Sequence, residues 1–378
     1  MDEYKQTMKY SILNIAFKVF IIVFLVLFII FYFKIDIFNL KFFKSKNHKD
    51  EKYVFKEYDV NRDIVNAVSR TNYSDKQLSD FYIKTAYNCC LRSDGIADVE
   101  RLKTIISQGF RCLDFKLIYK NNTLHIENQP QNQTFYNALE IIDKHCFSNS
   151  YCNNNEDPVI VNIRLHEPDL ASFQTSKRVF NKLREMFQTL NTNNILDSKY
   201  SLLQKIENSE LYDNVLSAPL STIYGKMIVM CNYDYRIIEV NNIDAKHNLL
   251  QYIHLNTYIP RNNNEFNSIA DLTTFINNSA TYNTVIFTAN THNSLLTSDA
   301  NPLIDLNREV PTMIIPAPSS EDIISSLYDT FGYTFRAIDI TNVDNFDDIK
   351  DQEIQIYNNE FNIVGSAYIL KPINRRRN

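Results

Sequence analysis

The sequence predicts an α/β fold, a (β/α)8 barrel of the TIM type, preceded by a single N-terminal transmembrane helix. Three observations carry this expectation. Strand-like and helix-like segments alternate through residues 61–378, the pattern of a parallel α/β structure. Eight of those segments read as strands, the number a closed barrel needs. One long apolar stretch, Ile12–Phe33, stands ahead of them all. A doubly wound open sheet is the other architecture that periodicity alone permits.

Residues 1–11 form a short tail, and Ile12–Phe33 supplies about 20 apolar residues, enough to cross a hydrocarbon core. The stretch is too long and too aromatic for a cleaved signal peptide, and no small-residue cleavage site follows it. Lys34, Lys41, Lys44, Lys46, Lys49 and Lys52 follow the span, whereas only Lys5 and Lys9 precede it, so the lysine bias puts the large domain in the cytosol. These lysines fall mostly in a charged linker, residues 34–60, where they offer a patch for anionic lipid or simply a solvated flank. Sequons at Asn72, Asn121, Asn132 and Asn277 are what an Asn-rich chain produces by chance.

Strands are expected over Phe81–Ala86, Arg111–Ile118, Pro158–Leu165, Lys226–Cys231, Thr284–Thr288, Val310–Ile315, Phe335–Ile340 and Val364–Leu370. Between the first two, Asp98–Gln108 puts Val99, Leu102, Ile105 and Ile106 on one helical face and stops at Gly109. Phe135–Cys146 repeats the pattern with Leu139 and Ile142. Val179, Leu183, Met186, Phe187 and Leu190 line a further helix.

The net charge of −5 is spread along the chain, with no basic stripe of the kind that condenses on nucleic acid, so DNA and RNA are set aside as partners. Only 5 glycines and no tryptophan, among many Tyr, Phe, Ile and Asn, mark an AT-rich genome such as that of an intracellular parasite or a large DNA virus. The six cysteines, Cys89, Cys90, Cys112, Cys146, Cys152 and Cys231, show no zinc-type spacing and read as reduced, buried thiols.

Several ordered segments have a familiar pattern. FYIKTAYNCCL (residues 81–91) resembles the first strand of the catalytic region of phosphoinositide-specific phospholipase C, and QGFRCLDFKL, FYNALEIIDKHCF and PVIVNIRLH resemble its next strand, helix and strand. YGKMIVMCN is similar to the segment closing the X half. TMIIPAPSS and the terminal IQIYNNEFNIVGSAYILKPINRRR resemble the Y half, the last match being the most specific. The resemblance spans an X-like half, 75–232, and a Y-like half, about 250–373, and implies the phospholipase C barrel without the family's usual accessory domains.

The resemblance also implies where chemistry would sit. The family needs two histidines for proton transfer and a cation to stabilise phosphoryl charge. The first histidine falls on Tyr87, a phenol unsuited to proton cycling at neutral pH, and the second is retained as His125. Asn88 keeps a family calcium ligand, but the three carboxylate ligands read Asp114, Lys116 and Arg164, a set that repels a dication. No metal and no cofactor is therefore expected. Lys116 and Arg164 could instead take the ion's place and pair with Asp114. The basic headgroup positions fall on Met230, Asn232 and Met313, and the Y-half serine falls near Thr288.

Two functions follow as expectations. One is a membrane-anchored, catalytically inactive barrel, a structural or binding component of a viral or organelle membrane with lipid, anionic phospholipid or protein partners. The alternative is a metal-independent phosphodiesterase for phosphatidylinositol-type lipids, with His125 as acid or base and Lys116 and Arg164 stabilising phosphoryl charge. Tyr87, Asn88, Asp114 and Thr288 would then position substrate. Loop residue His166, the acidic run Asp344, Asp347, Asp348, Asp351 and Glu353, and the terminal Arg375, Arg376 and Arg377 read most simply as solvated surface.

Overall fold

The computed structural model describes residues 66–376 apart from 69, 130–133, 167–171, 233–248, 261–264, 280–281, 296–298, 317–329 and 344–351. The Ile12–Phe33 span, the 34–60 linker, and Asp344, Asp347, Asp348, Asp351 and Arg377 lie outside the described residues. Among the described residues no helix is long and apolar enough to cross a membrane.

Ten strands are described: β1 Phe81–Tyr87, β2 Cys112–Lys120, β3 Thr123–Ile126, β4 Val159–Leu165, β5 Met227–Cys231, β6 Leu255–Tyr258, β7 Thr284–Thr288, β8 Thr312–Ile315, β9 Phe335–Asp339 and β10 Tyr368–Leu370. Eight run parallel in the order β1, β2, β4, β5, β6, β7, β8, β9, and β9 pairs back with β1. The β1–β2 pairing, Thr85 beside Cys112 and Ala86 beside Leu113, shuts the ring and removes the open-sheet alternative. Two short strands hang antiparallel on the outside of this order, β3 on β2 and β10 on β1.

Both faces of the barrel strands are buried, which is why they read as near-continuous apolar runs rather than alternating ones. Ile83, Cys112, Ile160, Ile228, Met230, Leu255, Ile286, Met313, Phe335 and Ala337 meet inside the barrel in one cluster. Their neighbours in sequence, among them Leu113, Phe115, Val161, Ile163, Val229 and Ile338, pack outward against α1 (Arg101–Ser107), α2 (Phe135–His145) and α3 (Phe173–Gln188). The chain leaves α1 through Gly109 at φ +81°, the left-handed conformation that ends a helix at low cost only in glycine. In the second half α4 (Ile269–Asn278), α5 (Ala289–Leu295) and α6 (Asn301–Glu309) follow β6 and β7, and α7 (Gln352–Val364) follows β9.

The strand inventory is corrected at one place on each side. Val364–Leu370 is not a barrel strand: Val364 ends α7, the chain turns through Gly365 at φ +67°, and only Tyr368–Leu370 is extended, antiparallel to β1. The eighth barrel strand is β6, Leu255–Tyr258, whose four residues include Asn256 and Thr257 and so carry no apolar run. All six cysteines are buried and none is in a disulfide.

Candidate functional site at the barrel mouth

The carboxyl ends of barrel strands form the mouth where this architecture places reactive groups. Side chains alternate along a strand, so Asp114 and Lys116 share the inward face of β2. Parallel register sets Asn162 beside Asp114, and Arg164 beside Lys116, on β4. Tyr87, the last residue of β1, stands beside Asp339 of β9. Asn88 follows at φ +44°, a left-handed turn that asparagine tolerates better than most residues and that swings the chain over the mouth.

Asp114 is wholly buried, and both of its oxygens are occupied. Oδ1 accepts from Asn162 Nδ2 at 2.7 Å and Arg164 Nε at 2.8 Å, while Oδ2 accepts from Arg164 Nη2 at 2.7 Å and the Asn88 amide at 3.1 Å. Arg164, itself buried, thus clasps the carboxylate bidentately, and its Nη2 also donates to Asn88 Oδ1 at 2.6 Å. The guanidinium carbon lies 4.8 Å from the centre of the Tyr87 ring, a cation–π contact. Burial pulls the Arg164 pKa down, but the charge and hydrogen bonds of Asp114 outweigh it and the net shift is upward. Burial raises the Tyr87 phenol above its ordinary value, against the opposing charge of Arg164, so this group stays protonated across neutral pH.

Lys116 does not join Asp114, and the expectation that both cations would pair with it is corrected. Its Nζ lies 2.7 Å from Glu127 Oε1, each side chain being 35% exposed. The β2–β3 hairpin is responsible: β3 lies antiparallel on β2, and the Glu127 amide donates to the Lys116 carbonyl at 2.8 Å. The same hairpin carries His125, which lies on β3. His125 is buried opposite Ile118, and directly opposed residues share a face, so it stands on the side of β2 that carries Asp114 and Lys116.

The remaining positions serve the fold. Thr288 Oγ1 accepts from the Thr291 amide at 3.1 Å and caps the start of α5. Asn232 Oδ1 accepts from the Leu165 amide at 2.7 Å, tying β5 to the end of β4. Met230 and Met313 are wholly buried in the barrel interior. Of the sequence-predicted residues, Tyr87, Asn88, Asp114 and Arg164 therefore form one contact network, Lys116 and His125 flank it on the hairpin, and Thr288 belongs to a helix cap. Sequence reasoning missed Asn162 and Glu127. Both were within reach of a period-two argument, since Asn162 stands two residues from Arg164 on β4 and Glu127 two residues from His125, just past the end of β3.

The site was tested against the calcium ion implied by the resemblance. Calcium takes six to eight oxygens. Here the one retained carboxylate accepts four hydrogen bonds, two from a guanidinium, and the other two ligand positions are cations. The donor set does not fit a divalent ion. Among the described residues no group of three His, Cys, Asp or Glu side chains is placed to hold a metal.

No family model matches the sequence, and comparison with curated proteins finds no match. Solved structures do match. The crystal structure of L. pealei PLC21 superposes with a TM-score of 0.54 at 14% identity, over 80% of this chain and 38% of that one. For S. officinalis PLC21 the TM-score is 0.52 at 14% identity, again over 80% and 38%. The calcium-dependent phosphoinositol-specific phospholipase C of Pseudomonas sp. follows, with a TM-score of 0.45 at 7% identity, over 73% of this chain and 92% of that one. The chain spans 38% of the length of each of the first two proteins. The closed ring of eight parallel strands and the two PLC21 superpositions together give the chain a phospholipase C-type barrel fold.

Proposed function

We propose that the chain is a catalytically silent phospholipase C-like barrel that acts at a membrane as a binding or structural component, tethered by Ile12–Phe33 and needing no metal. One observation carries the reading: Arg164 clasps Asp114 at 2.7 and 2.8 Å beneath Tyr87, so the place of a metal and of a proton-cycling histidine is taken by a neutralised ion pair and a phenol. Lys116, spent on Glu127, adds no free cation for a phosphoryl group. Anionic lipid or a protein partner at the membrane is the ligand class that suits such a component.

The test is release of water-soluble inositol phosphate from vesicles of phosphatidylinositol and phosphatidylinositol 4,5-bisphosphate by the full chain, with calcium and with chelator. Release indistinguishable from protein-free vesicles is the expected result, and metal-dependent turnover would sink the proposal. A second reading, a metal-independent phosphodiesterase, is favoured by His125 standing on the face of β2 that carries Asp114 and Lys116. It requires release that survives chelator and is lost in His125→Ala.

A further inference from the structure

We infer that Arg164 is a built-in cation filling the position a divalent ion would take in this mouth, so that the chain itself sets the charge of the site and calcium does not. The inference deepens the silent-barrel reading and rests on its description of the mouth.

Arg164 Nη2 lies 2.6 Å from Asn88 Oδ1 and 2.7 Å from Asp114 Oδ2. A single nitrogen is therefore held by one oxygen from β2 and one from the turn that follows β1, at the separations of charge-assisted hydrogen bonds. Nε of the same guanidinium holds the other carboxylate oxygen at 2.8 Å, so the group is fixed in its plane rather than swinging through the mouth. A third oxygen belongs to the same rung. Asn162 is the register partner of Asp114, and its amide nitrogen donates to that carboxylate. Its Oδ1 is buried and accepts no hydrogen bond among the described residues. An acceptor left in that state is costly in a protein interior, so among the described residues the Asn162 side chain is held by its bond to Asp114 alone.

The charge balance follows. A guanidinium carries one permanent positive charge and is not titrated in the physiological range. A calcium ion entering here would have to expel Arg164 from its carboxylate, bury an unpaired guanidinium beside it, and approach Lys116 on the next strand. Each of these steps is unfavourable. Removing the guanidinium reverses this balance, because Asp114 and Asn88 Oδ1, the two groups it holds, are then left together with an uncompensated negative charge.

The experiment compares the full chain in detergent micelles as wild type, Asp114→Asn, Arg164→Glu, Arg164→Gln and Arg164→Glu combined with Asp114→Asn. Two readouts are taken: terbium emission sensitised by tyrosine, for which the chain has 23 tyrosines and no tryptophan, and Tm in calcium against chelator. Tyr87, 4.8 Å from the guanidinium carbon, is the antenna nearest the site. The wild type is expected to show no saturable emission and no calcium-dependent Tm. Arg164→Glu should gain saturable emission that calcium displaces and a calcium-dependent rise in Tm of about 3 °C or more. Adding Asp114→Asn should abolish both, and Arg164→Gln should show a smaller gain. A variant that folds only when calcium is present also supports the inference. It is overturned if calcium raises the wild-type Tm and Asp114→Asn alone removes the effect, or if neither Arg164→Glu nor Arg164→Gln responds to calcium. Vesicle hydrolysis is silent on this point, so failure of the cation experiment and failure of the silent-barrel reading are separate results.

Discussion

On β1, β2 and β4 the inward positions toward the mouth carry Tyr87, Asp114, Lys116, Asn162 and Arg164, whereas on β5, β7 and β8 they carry Met230, Ile286, Met313 and Ile315, with the helix-capping Thr288 polar at the end of β7. The first set is a web of charges, each with an internal partner: Arg164 on Asp114, Lys116 on Glu127. The second is an extension of the barrel's apolar interior, with Met230 and Met313 wholly buried. The comparison teaches that the two halves of one barrel mouth settle their inward side chains by two physical routes. In one half cations are paired with carboxylates of the same chain, and in the other the positions belong to the apolar core. Buried pairing and apolar burial have different energetic signatures, which makes the distinction measurable.

The largest effect is expected from Arg164→Ala. It leaves the Asp114 carboxylate buried without its cation, and breaking a buried pair in this way costs about 3–5 kcal/mol. Denaturant unfolding would read it, and the double replacement Asp114→Leu with Arg164→Leu should recover much of the loss because no unpaired charge remains. A fully additive double variant would break the comparison, since the two residues would then not be a coupled pair. Met313→Ala comes next. It opens a cavity in the apolar half at a cost of about 3 kcal/mol, with no dependence on ionic strength. The smallest effect is expected from Glu127→Gln. Its pair with Lys116 is one-third exposed, so unfolding should change by less than about 1 kcal/mol and the difference should fade in high salt. If Glu127→Gln cost as much as Arg164→Ala, burial would not be what separates the two ion pairs.

Much of the frame was legible from pattern alone. The strand runs beginning at Phe81 and near Arg111, Pro158, Lys226, Thr284, Val310 and Phe335 each contain a barrel strand, because parallel strands buried on both faces need unbroken apolar sequence. The failures have the same cause in reverse. Leu255–Tyr258 has two polar residues in four, and its Thr257 pairs side chain to side chain with Thr284 on β7 at 2.7 Å, a satisfaction that no single-segment pattern reveals. The segment around Val364–Leu370 is apolar enough to pass for one strand, yet a helix end, a glycine turn and a short antiparallel strand share it. The β2–β3 hairpin did leave a signal, Asn121 and Asn122 at φ +52° and +62°, the residue pair and conformation of a tight turn between two strands.

By itself the sequence determined the alternation of strands and helices, seven of the eight barrel strands and the polar residues that those strands carry toward the mouth. These are properties of local segments and their periods. Which cation holds which carboxylate was decided only by tertiary structure. Arg164 and Asp114 are 50 residues apart and Arg164 and Asn88 are 76 apart, so their contact depends on the register of β2 against β4 and on closure of the ring at β1. Lys116 was diverted to Glu127 by a hairpin folding back on the same strand. Local pattern tells which face a side chain takes; register and closure, set by packing across the whole barrel, decide what it meets there.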